Sequence, residues 1–260
     1  MTDPTSALTA VPAADSRHEL PVPARLTFFY GPMDCGKSTL ALQIDHNHSR
    51  QGRCGLLLTR HDRSARPVIS TRLGMFRSAV EVTDELDLGV LVREHWARGV
   101  RVDYLVVDEA QFLTPEHVEQ LAELVDRAGV DVYAFGLATD FRGRLFAGSC
   151  RLIELADQIT AVQVEVLCWC GRPGQLNARV HEGRLVREGD TVLVADTGSD
   201  AEVRYQVLCR RHYRAGDLGP VRSAPGQLAL EQDGDRQPES ATPPPGRGDQ
   251  EVRSRCVPVV

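Results

Sequence analysis

Several things are missing from this chain of 260 residues, and each absence closes off a class of protein. No apolar run approaches the roughly 20 residues needed to span a bilayer. Residues 1–23 have neither a basic stretch nor an apolar core, so no secretory signal is expected there. A basic excess is missing too: 30 Lys and Arg stand against 36 Asp and Glu, a net charge of −6. With no basic, aromatic-rich stretch either, a nucleic-acid-binding surface is not expected. No internal repeat is visible. Seven cysteines are present, but Cys256 lies in Cys-Val-Pro-Val-Val, which is not a prenylation box. These absences leave a cytoplasmic protein, whose cysteines read as thiols and metal ligands rather than a disulfide framework.

What is there centres on Gly31-Pro32-Met33-Asp34-Cys35-Gly36-Lys37-Ser38, which fills every fixed position of the phosphate-binding loop G-x-x-x-x-G-K-[ST]. The apolar run Leu26-Thr27-Phe28-Phe29-Tyr30 precedes it and reads as a buried strand; a helix begins after it. In that context the loop amides and the helix dipole cradle anionic phosphates. Lys37 is placed to reach the β- and γ-phosphates and Ser38 to hold Mg²⁺. The Cys35 thiol is either activated by the nearby helix N-terminus or simply packed.

Strand-like and helix-like runs alternate after the loop. Residues 54–59, 102–107 and 130–135 read as strands. Residues 83–98, with Leu86, Val90 and Trp96 apolar, read as a helix weakened by Gly89. A second helix is bounded by Thr114-Pro115-Glu116 and Gly129, with Val118, Leu121, Leu124 and Val125 on its inner face. This alternation predicts an α/β fold, a parallel sheet of the RecA-like phosphate-loop class with helices on both faces. From about residue 159 the pattern becomes short and β-rich, at 176–180, 184–186, 192–194 and 203–208. That is a small unit in need of a staple. The organisation read from the sequence is therefore a disordered tail over 1–23, a phosphate-loop domain over 24–158, a metal-stapled unit over 159–215, and a disordered tail over 216–260.

Two constellations carry further chemistry. Val106-Val107-Asp108-Glu109 ends a strand in paired carboxylates: Asp108 suits the Mg²⁺ shell, and Glu109 a general base. Cys168-Trp169-Cys170 and Cys209-Arg210-Arg211-His212 supply a Cys₃His set for a structural zinc ion. Cys54 and Cys150 read as small core residues. The residues alone leave open a water-attacking ATPase, a small-molecule kinase and, less favoured, a nucleic-acid-binding zinc module with an ATPase attached.

Three motifs in order narrow this: Gly31 to Thr39, Asp108-Glu109-Ala110-Gln111-Phe112, and Gly136-Leu137-Ala138-Thr139-Asp140-Phe141-Arg142-Gly143. With the Cys-x-Cys and Cys-x-x-His pairs, they resemble the thymidine kinases of the cytosolic, zinc-containing type, over about residues 25–213. The resemblance implies transfer of the γ-phosphate of Mg-ATP to the 5′-hydroxyl of thymidine. Glu109 would act as the base, and residues 31–38 with Asp108, Glu109, Ala110 and Gln111 would line the ATP site. It places Met33, Phe141, Phe146, Val192, Leu193, Val194 and Tyr205 around the nucleoside, and Asp62-Arg63 near the phosphates. It also implies a homotetramer and inhibition by thymidine triphosphate. Two departures touch the nucleoside side: Ala195-Asp196 stands where the family generally has Gly-Gly, and residues 197–202 look like an insertion before Tyr205.

Overall fold

The computed structural model describes residues 23–60, 67–189 and 203–220. The expected tails, Asp62-Arg63 and the segment carrying Val192, Leu193 and Val194 therefore fall outside the described residues, apart from Pro23 and residues 216–220. The phosphate loop lies between strand β1 (Leu26–Tyr30) and helix α1 (Lys37–Arg50), as its flanks predict. Next come β2 (Gly55–Thr59), a hairpin of β3 (Val68–Ser70) and β4 (Phe76–Ser78), the short β5 (Val80–Glu81) and helix α2 (Leu88–Ala97). Strand β6 (Tyr104–Val107), helix α3 (Pro115–Ala128), strand β7 (Asp131–Gly136), helix α4 (Ala147–Leu155) and strand β8 (Gln158–Ala161) complete the larger part. Six strands form one parallel sheet in the order β5-β2-β6-β7-β1-β8. Strand β7 thus separates the phosphate-loop strand from the strand that ends in Asp108, so Ser38 and Asp108 face each other across one intervening strand end.

Side chains alternate between the two faces of the sheet. Phe28, Leu58, Leu105, Val107 and Val132 pack with α2, α3 and α4 on one face. Leu57, Tyr104, Val106 and Phe135 pack with Ala41 and Leu42 of α1 and with Ile69 of the hairpin on the other. Helix α3 begins and ends where its signals stand. The Thr114 hydroxyl accepts from the His117 N–H (3.2 Å), the Thr114 N–H donates to His117 Nδ1 (3.3 Å), and Gly129 closes the helix in the left-handed region. That cap fixes the chain just after Glu109 and its turn.

Several expectations are corrected. Helix α2 starts at Leu88, because the Asp87 side chain accepts from the Val90 N–H (2.7 Å), and not at residue 83. Its buried face is Leu88, Val92 and His95, while Val90 and Trp96 are exposed. Strand β8 pairs with β1, so the large sheet runs through the 158/159 boundary to Ala161. Cys54 is buried, but Cys150 is only half-buried and its thiol faces Glu154 (3.6 Å). Beyond β8, strands β9 (Leu176–His181), β10 (Arg184–Val186) and β11 (Arg204–Leu208) form an antiparallel sheet in the order β10-β9-β11, followed by helix α5 (Arg210–Ala215). Its core is small, gathered around Cys168, Ala178, Leu208, Cys209 and Tyr213. No helix among the described residues is long and apolar enough to cross a membrane.

Candidate active site

The phosphate loop is a tight turn held by its own atoms. Asp34 (φ 66°) and Gly36 (φ 81°) both take the left-handed conformation, which Gly adopts freely and Asp tolerates better than most residues. A Cβ at Gly31 would stand 2.5 Å from Cys35 Sγ, so glycine is required there. Cys35 is wholly buried against it, which favours the packed thiol over the accessible one. The Lys37 ammonium donates to the carbonyls of Pro32 (2.8 Å) and Gly31 (3.3 Å). It thereby spans the loop mouth where the phosphates of a nucleotide would compete for it.

Opposite the loop, the two carboxylates at the end of β6 part company. Asp108 is buried, and its Oδ2 accepts from the Ser38 hydroxyl (2.7 Å) while its Oδ1 accepts from the Glu109 N–H (3.0 Å). Glu109 itself is left-handed (φ 54°, ψ 33°), which turns its side chain away from the Asp108–Ser38 pair. There its Oε2 accepts from the Gln111 amide (2.5 Å). The Gln111 Oε1 accepts in turn from the Leu137 N–H (3.0 Å), so the amide group is orientated by the end of β7. The turn Ala110–Phe112 is backed by α4 at very close range. A Cβ at Gly148 would meet the carbonyl oxygens of Leu113 at 2.5 Å and Ala110 at 2.9 Å. One carboxylate is thus committed to the loop's hydroxyl, and the other stands apart, half-buried, with one fixed amide beside it.

Burial pushes the Asp108 carboxyl up to about 6, and the neighbouring Glu109 carboxylate adds to the rise; Ser38, the Glu109 N–H and Lys37 oppose it. A carboxyl raised by folding stabilises the fold less once it ionises. The penalty appears as pH climbs from about 3.8, the ordinary value, towards about 6 and stays above it. Without Mg²⁺ and nucleotide, Asp108→Asn is expected to stabilise the protein at pH 7.5 by up to about 3 kcal/mol and hardly at all at pH 4. Urea unfolding at both pH values measures this. An equal effect at both, or destabilisation at pH 7.5, would remove burial of the charge as the cause.

On the other side of the loop, β9 supplies two residues that the sequence did not single out. The buried Asn177 accepts through Oδ1 from the Met33 N–H (2.8 Å). Two positions on, on the same face of the strand, the buried Arg179 lays its guanidinium over the Phe141 ring (3.6 Å to the centroid) and donates from Nε to the Tyr205 hydroxyl (3.1 Å). The Tyr213 hydroxyl donates to the Phe141 carbonyl (2.6 Å). Met33, Phe141 and Tyr205, which the resemblance brings together, are therefore linked through β9. Phe146 stands apart from them, edge-on to Phe112 (5.5 Å), beside an open cleft of about 450 Å³ that also borders Gln111, Asp140 and Arg142. No motif marks Asn177 or Arg179. Two polar residues in a β-rich stretch look like solvent-facing positions until the small sheet is packed against the loop.

Cys168, Cys170, Cys209 and His212 bring one ligand atom each to within 4.8 Å of one another. Three thiols and an imidazole suit tetrahedral zinc. Only Cys170 is exposed, and Trp169 stacks on the His212 ring (4.3 Å). The chemistry of the donor set fits the ion that the sequence predicts.

A lysine-bearing phosphate loop facing a strand-end carboxylate pair across one strand defines a phosphate-loop enzyme that uses a nucleoside triphosphate. The chain belongs to the thymidine kinase family, whose model matches residues 24–213. It is similar to the thymidine kinase of Cutibacterium acnes (strain DSM 16379 / KPA171202), 50% identical over 214 residues, which are 82% of this chain and 99% of that one. The Streptomyces coelicolor thymidine kinase is 55% identical over 190 residues, 73% of this chain and 88% of that one. The Legionella pneumophila (strain Lens) enzyme is 37% identical over 213 residues, 81% and 98% of the two chains.

Proposed function

We propose that this protein transfers the γ-phosphate of ATP to the 5′-hydroxyl of thymidine, giving thymidine monophosphate. Membership of the family supports the reaction, and one observation carries the assignment of roles: the separation of Asp108, on Ser38, from Glu109, on Gln111. Phosphoryl transfer through a loose transition state asks the protein mainly for positioning and charge neutralisation. The amides of residues 31–38 and the Lys37 ammonium hold the phosphates. The Ser38 hydroxyl, with Asp108 behind it, would hold Mg²⁺, which would supply neutralisation of the phosphate charge. Glu109, orientated by the Gln111 amide, takes the proton of the acceptor hydroxyl as the new P–O bond forms. Met33, Phe141 and Tyr205, with Phe146 from the adjoining cleft and Val192, Leu193 and Val194, border the nucleoside and keep water, the competing acceptor, away. Zinc on Cys168, Cys170, Cys209 and His212 is structural, since the protein fills all four positions. A cytoplasmic homotetramer inhibited by thymidine triphosphate completes the proposal.

The test is ADP release under Mg-ATP with no nucleoside, thymidine, deoxyuridine or deoxycytidine. Near silence without nucleoside is expected, because an enzyme built for an alcohol acceptor excludes water. Thymidine is expected first, and deoxyuridine somewhat behind it for want of one buried methyl, worth about 1 kcal/mol. Deoxycytidine is expected at least about 10²-fold behind in kcat/KM, since its N3 and C4 groups reverse the hydrogen-bonding pattern of thymine. Equal use of deoxycytidine would overturn the pocket assignment, and nucleoside-independent ADP release would favour an ATPase.

A further inference from the structure

The phosphate loop contains a charge of the wrong sign for its task. Asp34 sits in the middle of the loop, is left-handed at φ 66°, and is 44% exposed at its side chain. A carboxylate there repels the polyphosphate that the surrounding amides attract. Lys37 does not neutralise it, because the ammonium is turned onto the Pro32 and Gly31 carbonyls. Asp34 is met instead from outside the loop, by Arg72 Nη2 at 2.5 Å from its Oδ1.

Arg72 stands at the tip of the β3–β4 hairpin, and the hairpin is built to keep it there. In the turn, the Thr71 N–H donates to the Met75 carbonyl (2.8 Å), the Met75 N–H to the Thr71 hydroxyl (3.2 Å), and the Gly74 N–H to the Thr71 carbonyl (3.0 Å). At its base, Ile69 is buried in the same cluster as Ala41 and Leu42 of α1, the helix that the phosphate loop opens. Hairpin and loop are thus set on one helix. The Arg72 side chain is otherwise 82% exposed, and an ion pair so open to water contributes little as a tether. A guanidinium, however, carries five donors in a fixed fork, and phosphate oxygens are its favoured partners.

We propose that Arg72 is a second cation of the nucleotide site. Its guanidinium lies on Asp34 and would be shared with the phosphate oxygens of a bound ATP. This rests on reading residues 31–38 as an ATP site, and it assigns the hairpin a part in ATP affinity that no loop motif marks. The roles of the two partners then differ in sign: Arg72 attracts the nucleotide and Asp34 repels it. A mere tether between hairpin and loop would make the two residues equivalent.

Calorimetric titration with Mg-ATP, without nucleoside acceptor, separates these cases. Arg72→Ala is expected to weaken ATP binding about tenfold, with Arg72→Lys in between because a point charge remains without the fork. Asp34→Asn is expected to tighten ATP binding a few-fold by removing the repelling charge, with the double variant between the single ones; no tightening would count against the repulsion. Thermal unfolding of each variant guards against loss of the fold, and only variants that melt with the parent are compared. Arg72→Ala within twofold of the parent, or Asp34→Asn weakening ATP alongside Arg72→Ala, would overturn the proposal. Failure of the parent to bind Mg-ATP at all would instead overturn the reading of the loop.

Discussion

Glu109→Gln is expected to lower turnover by roughly 10² to 10⁴ while leaving Mg-ATP affinity within a few-fold of the parent. The substitution keeps the size of the side chain and an oxygen able to accept from the Gln111 amide, which stands 2.5 Å from the carboxylate. Because the Leu137 N–H orientates Gln111, that amide goes on presenting its N–H to position 109. Only the capacity to take a proton is lost. Asp108 cannot stand in, since both its oxygens are engaged, by Ser38 and by the Glu109 N–H. The measurement is kcat at saturating ATP and thymidine beside calorimetric binding of Mg-ATP. Turnover within a few-fold of the parent would remove Glu109 as the base, and a parallel collapse of ATP binding would make it part of the nucleotide site.

Cys209→Ser is expected to reduce bound zinc from one per chain to none and to cost most of the activity at 37 °C, with ATP binding retained in weakened form. The small sheet has a core of only a few buried residues, two of which, Cys168 and Cys209, are proposed ligands. Zinc contributes about 10–16 kcal/mol in small zinc-finger peptides, enough to decide whether such a unit is folded. Loss of the unit would reach the active site by three contacts: Asn177 on the Met33 N–H, Arg179 on the Phe141 ring, and Tyr213 on the Phe141 carbonyl. The phosphate loop itself stands on β1 and α1 and takes only the Asn177 bond to Met33 from the small sheet, so ATP binding is weakened rather than lost. Metal analysis of protein purified without chelator, with thermal unfolding and activity of parent and variant, tests the chain of cause. Zinc-free but fully active parent protein would break its first link.

How far these expectations could be read beforehand varies from element to element. Helix α3 was legible to the residue, because Thr114, Pro115 and Gly129 are chemical stop and start signals that act locally. Helix α2 was legible only as a helix. The choice between Leu86, Val90 and Trp96 and the observed Leu88, Val92 and His95 as the inner face depends on what lies underneath. Helix α4 was not visible at all. It contains Gly148 and Ser149, poor helix formers, and Gly148 is demanded by the approach of the Ala110 and Leu113 carbonyls, which no local pattern reports. The edge strand β8, with Gln158 and Ile159 exposed, has too little apolar character to announce itself as part of the large sheet.

By itself the sequence determined the phosphate loop and its flanking strand and helix, the carboxylate pair at the end of a strand, and the four metal-ligand candidates. Each of these depends on the chemistry of neighbouring residues or on short, stereotyped spacings. The sequence already assigned Asp108 to the Mg²⁺ side and Glu109 to the base role; the tertiary structure alone supplied the partners, Ser38 for one and the Gln111 amide for the other. It alone brought Asn177 to Met33 across 144 positions and the Arg72 hairpin to Asp34. Such contacts form because separate elements bury apolar faces against one helix or one sheet, and the polar side chains that meet as a result carry no mark of the meeting in their own neighbourhoods.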